Sequence, residues 1–151
     1  MLIAAVLALV SAQPRHAAAP GETRVFMPIS RALQIAETIA RAEGYDLSDR
    51  ERYFFDLVSG EANKAYIIGH VTLGFYWDGD LINTIAIDEV TGAAIDTAGC
   101  TIYAYPSLRR FHIAGQDEAS PALLRSWKDQ TGCESFRTAR KEVPVRRNHR
   151  R

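Results

Sequence analysis

The side chains able to do chemistry in this 151-residue sequence are scattered rather than grouped. Its only cysteines are Cys100 and Cys133. They stand too far apart to form a zinc site by themselves, since zinc takes four ligands at short spacings. In an oxidising compartment an even count points to pairing. A bridge would close the loop 100–133 and contribute about 3–4 kcal/mol in the chain-entropy model; two separate buried thiols are the alternative. Of the four histidines, His16 and His149 lie in terminal segments and His112 in a loop-like stretch. His70 falls on the less apolar face of a strand, which reads as a surface or partner-facing position rather than a ligand or base. Asp78, Asp80, Asp88 and Glu89 cluster at two turns, where carboxylates cap backbone groups. Asp78 and Asp80 flank Gly79, but the remainder of a calcium loop is missing. No nucleophile elbow, S-x-x-K, H-E-x-x-H, P-loop or G-x-G-x-x-G occurs. The expectation is a chain with no catalytic residue, no metal and no cofactor.

Tyrosines remain. Tyr66, Tyr76, Tyr103 and Tyr105 fall on candidate strands, with Tyr66 and Tyr76 on one face. Tyrosine combines a large contact area with a hydroxyl and suits interfaces. The expected partner-binding set is Tyr66, Tyr76, Asp78, Asp88 and Tyr103; burial of the tyrosines against helices or loops is the competing reading.

Those residues need a scaffold. From Ile29 to Glu43, Ile29, Ala32, Leu33, Ile35, Ala36, Ile39 and Ala40 form one stripe of an amphipathic helix, closed by Gly44. Arg52 to Val58 reads as a strand, with a helical continuation as the alternative. Ala65 to Trp77 is the strongest strand, with Val71, Leu73, Phe75 and Trp77 on one face and Tyr66, His70, Thr72 and Tyr76 on the other. Asp78-Gly79 signals a hairpin into Leu81 to Asp88. Ala93 to Tyr105 supplies a third strand or a pair broken near Gly99. Ser120 and Pro121 open a second helix that buries Leu123, Leu124 and Trp127 and stops at Gly132. The fold class is therefore α+β: one main helix on an antiparallel sheet of about four strands, with a short C-terminal helix tethered by the disulfide.

The ends are different. Leu2 to Val10 is an unbroken apolar run of nine residues, short of the roughly 20 that span a bilayer. With Val10-Ser11-Ala12 completing it, the run reads as a signal peptide cut after Ala12, with Ala17 to Ala19 as the second site and a buried N-terminal helix or strand as the competing reading; the basic segment expected before the run is absent. Residues 13–24 form a linker, 25–139 the single domain, and 140–151 a basic, disordered tail. The tail could meet anionic lipid or nucleic acid, but the formal net charge of the chain is zero and the tail reads as simply solvated.

The stretch Ile82 to Ile95 resembles the closing hairpin of PepSY-like domains: a strand ending in Ile87-Asp88, a turn ending in Thr91-Gly92, and a strand resuming with small and branched residues. The helix bearing Ala32, Ile35 and Ala36 looks like the one such domains pack on their sheet. The likeness spans 29–95, and a cystatin-like arrangement of one helix on an antiparallel sheet covers it too. The strand at Arg52 to Val58 and the cysteine-bearing extension depart from the pattern. The resemblance implies an exported module that binds or inhibits another protein, with no catalytic residues to carry over. Expected, then, is a periplasmic or secreted, non-enzymatic binding module whose partner is another exported or envelope protein. Its alternatives are an immunity protein that neutralises a toxin and a small pocket enzyme or carrier with His70 beside a carboxylate.

Overall fold

The structure, a computed structural model, describes residues 27–58, 69–112 and 120–145. In chain order these form α1 (Ile29–Ala42), β1 (Tyr53–Leu57), β2 (His70–Trp77), β3 (Asp80–Asp88), β4 (Ala94–Asp96), β5 (Thr101–Tyr103), a 3-10 helix (Pro106–Phe111), α2 (Pro121–Thr131) and β6 (Arg137–Ala139). One sheet holds all six strands in sequence order, β1-β2-β3-β4-β5-β6. The first four pairings are antiparallel and β5–β6 is parallel. The expectation of about four antiparallel strands is thus corrected to a mixed sheet of six. Ala93 to Tyr105 resolves into a pair, and Arg137–Ala139 adds an edge too short to show a period. The tail expectation also changes. Val143 donates its N–H to the Ala42 carbonyl at 2.7 Å, and Glu142 accepts from the Ser107 amide at 2.9 Å. Residues 140–145 therefore continue the domain, because they satisfy the orphan carbonyl at the end of α1.

Alternation along the strands divides the sheet into two faces. Val71, Leu73, Ile85, Ile87, Ala94 and Tyr103 face inward and meet Ala32, Ile35, Ala36 and Ile39 of α1. Ile29, at the start of the apolar stripe, is exposed, one turn before the helix reaches its neighbours. Past the end of α1, Tyr45 and Leu47 extend this layer over Phe75 and Trp77.

Two turns fix the register. Asp78 and Gly79 both carry positive φ, 49° and 88°, as the tightest hairpin requires. In the turn between β3 and β4, Asp88 Oδ1 accepts the Val90 and Thr91 amides at 3.1 and 2.7 Å and the Thr91 hydroxyl at 2.8 Å. α2 begins as its sequence predicts. Ser120 Oγ accepts the Leu123 N–H, Pro121 is the first helical residue, and Gly132 at φ 74° ends it. Cys100 and Cys133 are bonded, with Cα atoms 5.8 Å apart, tying the end of α2 to the β4–β5 turn.

Candidate partner-binding surface

The outer face of the sheet is half covered and half bare. Over its β3–β5 half lies α2. Trp127 is wholly buried there, against Ala86, Ala93 and Ile95, with Ile102, Leu123, Leu124 and Phe136 around it. Its indole N–H donates to His70 Nε2 at 3.1 Å. Indole nitrogen is a donor only, so His70 accepts at Nε2 and its own proton sits on Nδ1, 3.7 Å from Asp88 Oδ2. Burial holds the imidazole below its ordinary pKa, with the Asp88 charge opposing part of that effect. His70 was expected at a surface; the cover that buries it arrives 57 residues later in the chain.

The other half, where β1, β2 and β3 meet, has no helix over it among the described residues. Phe54 and Tyr76 are cross-strand partners. Their rings stack with centroids 4.5 Å apart and planes 5° from parallel. Leu81 pairs with Tyr76 across a bulge on the other side. Phe54 is 51% and Leu81 54% exposed. Gly74 makes the arrangement possible: a Cβ there would come within 3.0 Å of the Tyr76 ring and 3.4 Å of Leu81. The missing side chain lets the tyrosine lie down along its own strand. Exposed Asp56, Asp78 and Asp80 accompany the patch on these three strands and their hairpin, and Arg52 lies 3.6 Å from Asp78. An apolar, aromatic centre with an acidic rim is the composition of a protein-contact surface.

Of the expected contact residues, the structure brings together Tyr76 and Asp78. Tyr66 lies outside the described residues. Asp88 is buried and committed to its turn. Tyr103, only 3% exposed, points into the inner layer, where its hydroxyl accepts from Asn83 Nδ2 at 3.3 Å. Asn83 also donates to Glu43 at 2.7 Å. Burial raises the Glu43 pKa, with Asp96 adding to it, and raises Tyr103 as well. Tyr105, buried behind Tyr103, is pushed up to about 12. Glu43, Asp96, Tyr103 and Arg137 line a polar cleft of about 330 Å³, in which Arg137 bonds to Thr101. Phe54 and Leu81 were missed by sequence reasoning. The signal lies in the register: Phe54 and Leu81 are both cross-strand partners of Tyr76 and so share its face, which alternation along one strand alone does not reveal.

No known family profile matches the chain, and no curated protein sequence matches it. The fold is similar to that of a solved structure, a chain of a type VI secretion system effector–immunity complex from Pseudomonas protegens. The two share 18% identity at a TM-score of 0.58, over 73% of this chain and 92% of that one. The likeness is one of fold.

Proposed function

We propose that this chain is an exported, non-enzymatic protein of the immunity or inhibitor type, which binds another protein through the Phe54–Tyr76–Leu81 patch. The observation that carries the reading is the stacked aromatic pair, with Phe54 half exposed and Tyr76 partly covered, on a disulfide-tethered sheet. A rigid aromatic anchor loses little conformational entropy when a partner closes over it. The fold shared with a chain of an effector–immunity complex is consistent with the immunity reading. The bridge favours a periplasmic or secreted location, where disulfides persist. Among the described residues no helix is long and apolar enough to cross a membrane. The acidic rim calls for a partner with an apolar pocket and basic surroundings. The enzyme alternative draws less support: His70 has its carboxylate in Asp88, but Trp127 closes the site.

The test is a pull-down from periplasmic extract with the oxidised chain and its Tyr76→Ala and Phe54→Ala variants. The reading requires a stoichiometric protein retained by the parent and lost by both variants. It further requires that this protein be toxic when expressed in the periplasm and harmless when this chain is co-expressed. A partner held equally by all three proteins would remove the patch from the interface. A captured protein that harms no cell would remove the immunity role.

A further inference from the structure

A cleft opens between α1 and the 3-10 helix, in the layer away from the aromatic patch. Arg31, Gln34, Glu37, Arg41, Arg110 and Phe111 line it around a volume of about 510 Å³. We propose that this cleft is a second binding site, for an acidic segment of a protein chain. The inference does not rest on the sheet patch or on the immunity reading.

Charge comes first. Three guanidiniums share the cleft with one carboxylate, Glu37, and that carboxylate is already 3.2 Å from Arg41. A local surplus of two positive charges stands in a chain whose formal net charge is zero. Orientation comes second. Arg31 reaches from α1 to donate to the Phe111 carbonyl at 2.8 Å. Arg110 reaches the opposite way to donate to Thr38 Oγ1 at 3.2 Å, its guanidinium 4.7 Å above the Phe111 ring. The Thr38 hydroxyl is itself fixed by donating to the Gln34 carbonyl at 2.7 Å. Both arginines are thus held from opposite walls before a ligand arrives, which lowers the ordering cost of binding. Each of those bonds uses one of the five N–H groups of a guanidinium. The remaining fork suits a carboxylate better than an ammonium would.

Shape distinguishes a peptide from a free ion. An adjoining cleft of about 670 Å³ shares Arg41 and Arg110 and continues over Pro106, Val143 and Pro144; its one carboxylate, Glu142, is engaged by the Ser107 amide, so the acidic part of a ligand belongs at the arginine end. A compact anion would fill only the arginine end. An extended chain with carboxylates followed by an apolar residue would use the whole track.

The experiment is fluorescence anisotropy on the full oxidised chain with a labelled peptide of alternating Glu and Gly, against the same peptide with Lys for Glu. Expected is binding of the Glu peptide alone, weakening as salt shortens the screening length. Arg31→Gln combined with Arg110→Gln should weaken it about tenfold. Those changes also remove bonds within the fold, so two further variants guard the result. Arg41→Gln, at a side chain whose hydrogen bond among the described residues goes to Glu37 on the same helix rather than across the fold, should weaken binding about threefold. Glu37→Gln should tighten it by about the same factor, a gain that loss of folding does not produce. Absence of Glu-peptide binding, equal binding of the Lys peptide, or indifference to Arg41→Gln and Glu37→Gln would overturn the site. Displacement of the peptide by an equal concentration of inorganic phosphate would overturn the peptide assignment in favour of a free oxyanion. Loss of binding in Phe54→Ala would move the peptide to the sheet face and overturn it equally.

Discussion

Trp127 and Phe54 lie over the same face of one sheet, a few strands apart, and their rings meet opposite fates. Trp127 comes from a helix, sinks onto Ala86 and Ala93, and is sealed by its neighbours. Phe54 comes from a strand, stacks on Tyr76, and keeps half its surface in water. The small residues decide where each goes. Alanines under α2 leave depth for an indole, whereas Gly74 leaves only enough height for a tyrosine to lie flat beside Leu81. The covered half is therefore where burial should hold the domain together, and the bare half is where the same kind of side chain stays available to a partner.

Substitutions should separate the two roles. The largest effect is expected from Trp127→Ala, which leaves a cavity and an unpaired His70 acceptor. It should cost about 3–5 kcal/mol of stability by urea denaturation, while folded protein still binds the partner. Replacing both Cys100 and Cys133 by Ser should cost about 3–4 kcal/mol, read in the same assay, again without touching the patch. If either change abolished binding by protein that is still folded, the two halves would not be independent. On the bare half the pattern inverts. Phe54→Ala or Tyr76→Ala should change stability by no more than about 1.5 kcal/mol, the value of the lost stacking. Partner affinity should fall by about 2 kcal/mol or more in calorimetry.

The smallest effect is one of pH. His70 is held neutral in the fold, below its ordinary pKa of 6.5. The unfolded chain therefore binds more protons near that value, and stability is full above about pH 6.5 and declines as pH falls below it. Protonation would also set an N–H on Nε2 against the Trp127 N–H. A His70→Gln variant can still accept from the indole but does not titrate, so its urea midpoint should vary less between about pH 7.5 and about pH 5. In a Trp77→Phe background the emission of Trp127 alone reports the change. Equal slopes for the two proteins would dismiss the histidine.

Much of this scaffold was legible because its signals are local. Ser120, Pro121 and Gly132 mark both ends of α2, Asp78-Gly79 marks its hairpin, and the stripe from Ala32 to Ala40 marks the buried side of α1. The strand–turn–strand expected over Ile82 to Ile95 is present as β3, a capped turn and β4. What the sequence concealed depends on distant partners. β5 and β6 have three residues each, too few for alternation to say which way Tyr103 points. His70 is polar on a half-apolar strand and reads as exposed until α2 is laid over it. Asp88 reads equally as a contact residue or a cap, and the cap wins because three donors of its own turn converge on one oxygen. Arg31 and Arg110 are far apart in sequence, and no periodicity joins them.

Strand order equal to chain order has a consequence for how the protein is made. Each strand from β3 to β5 finds its neighbour already synthesised and only a short turn away, so this part of the sheet can grow by short-range closures as the chain emerges. The first helix must wait for that surface, and the last strand must cross back beside β5 once α2 is in place. Cys133 therefore meets Cys100 late, when both termini of the loop have been delivered. Oxidation then acts as a closing clasp on a nearly finished domain, and a bridge missing at that stage would leave the C-terminal third loose while the hairpin patch stood already formed.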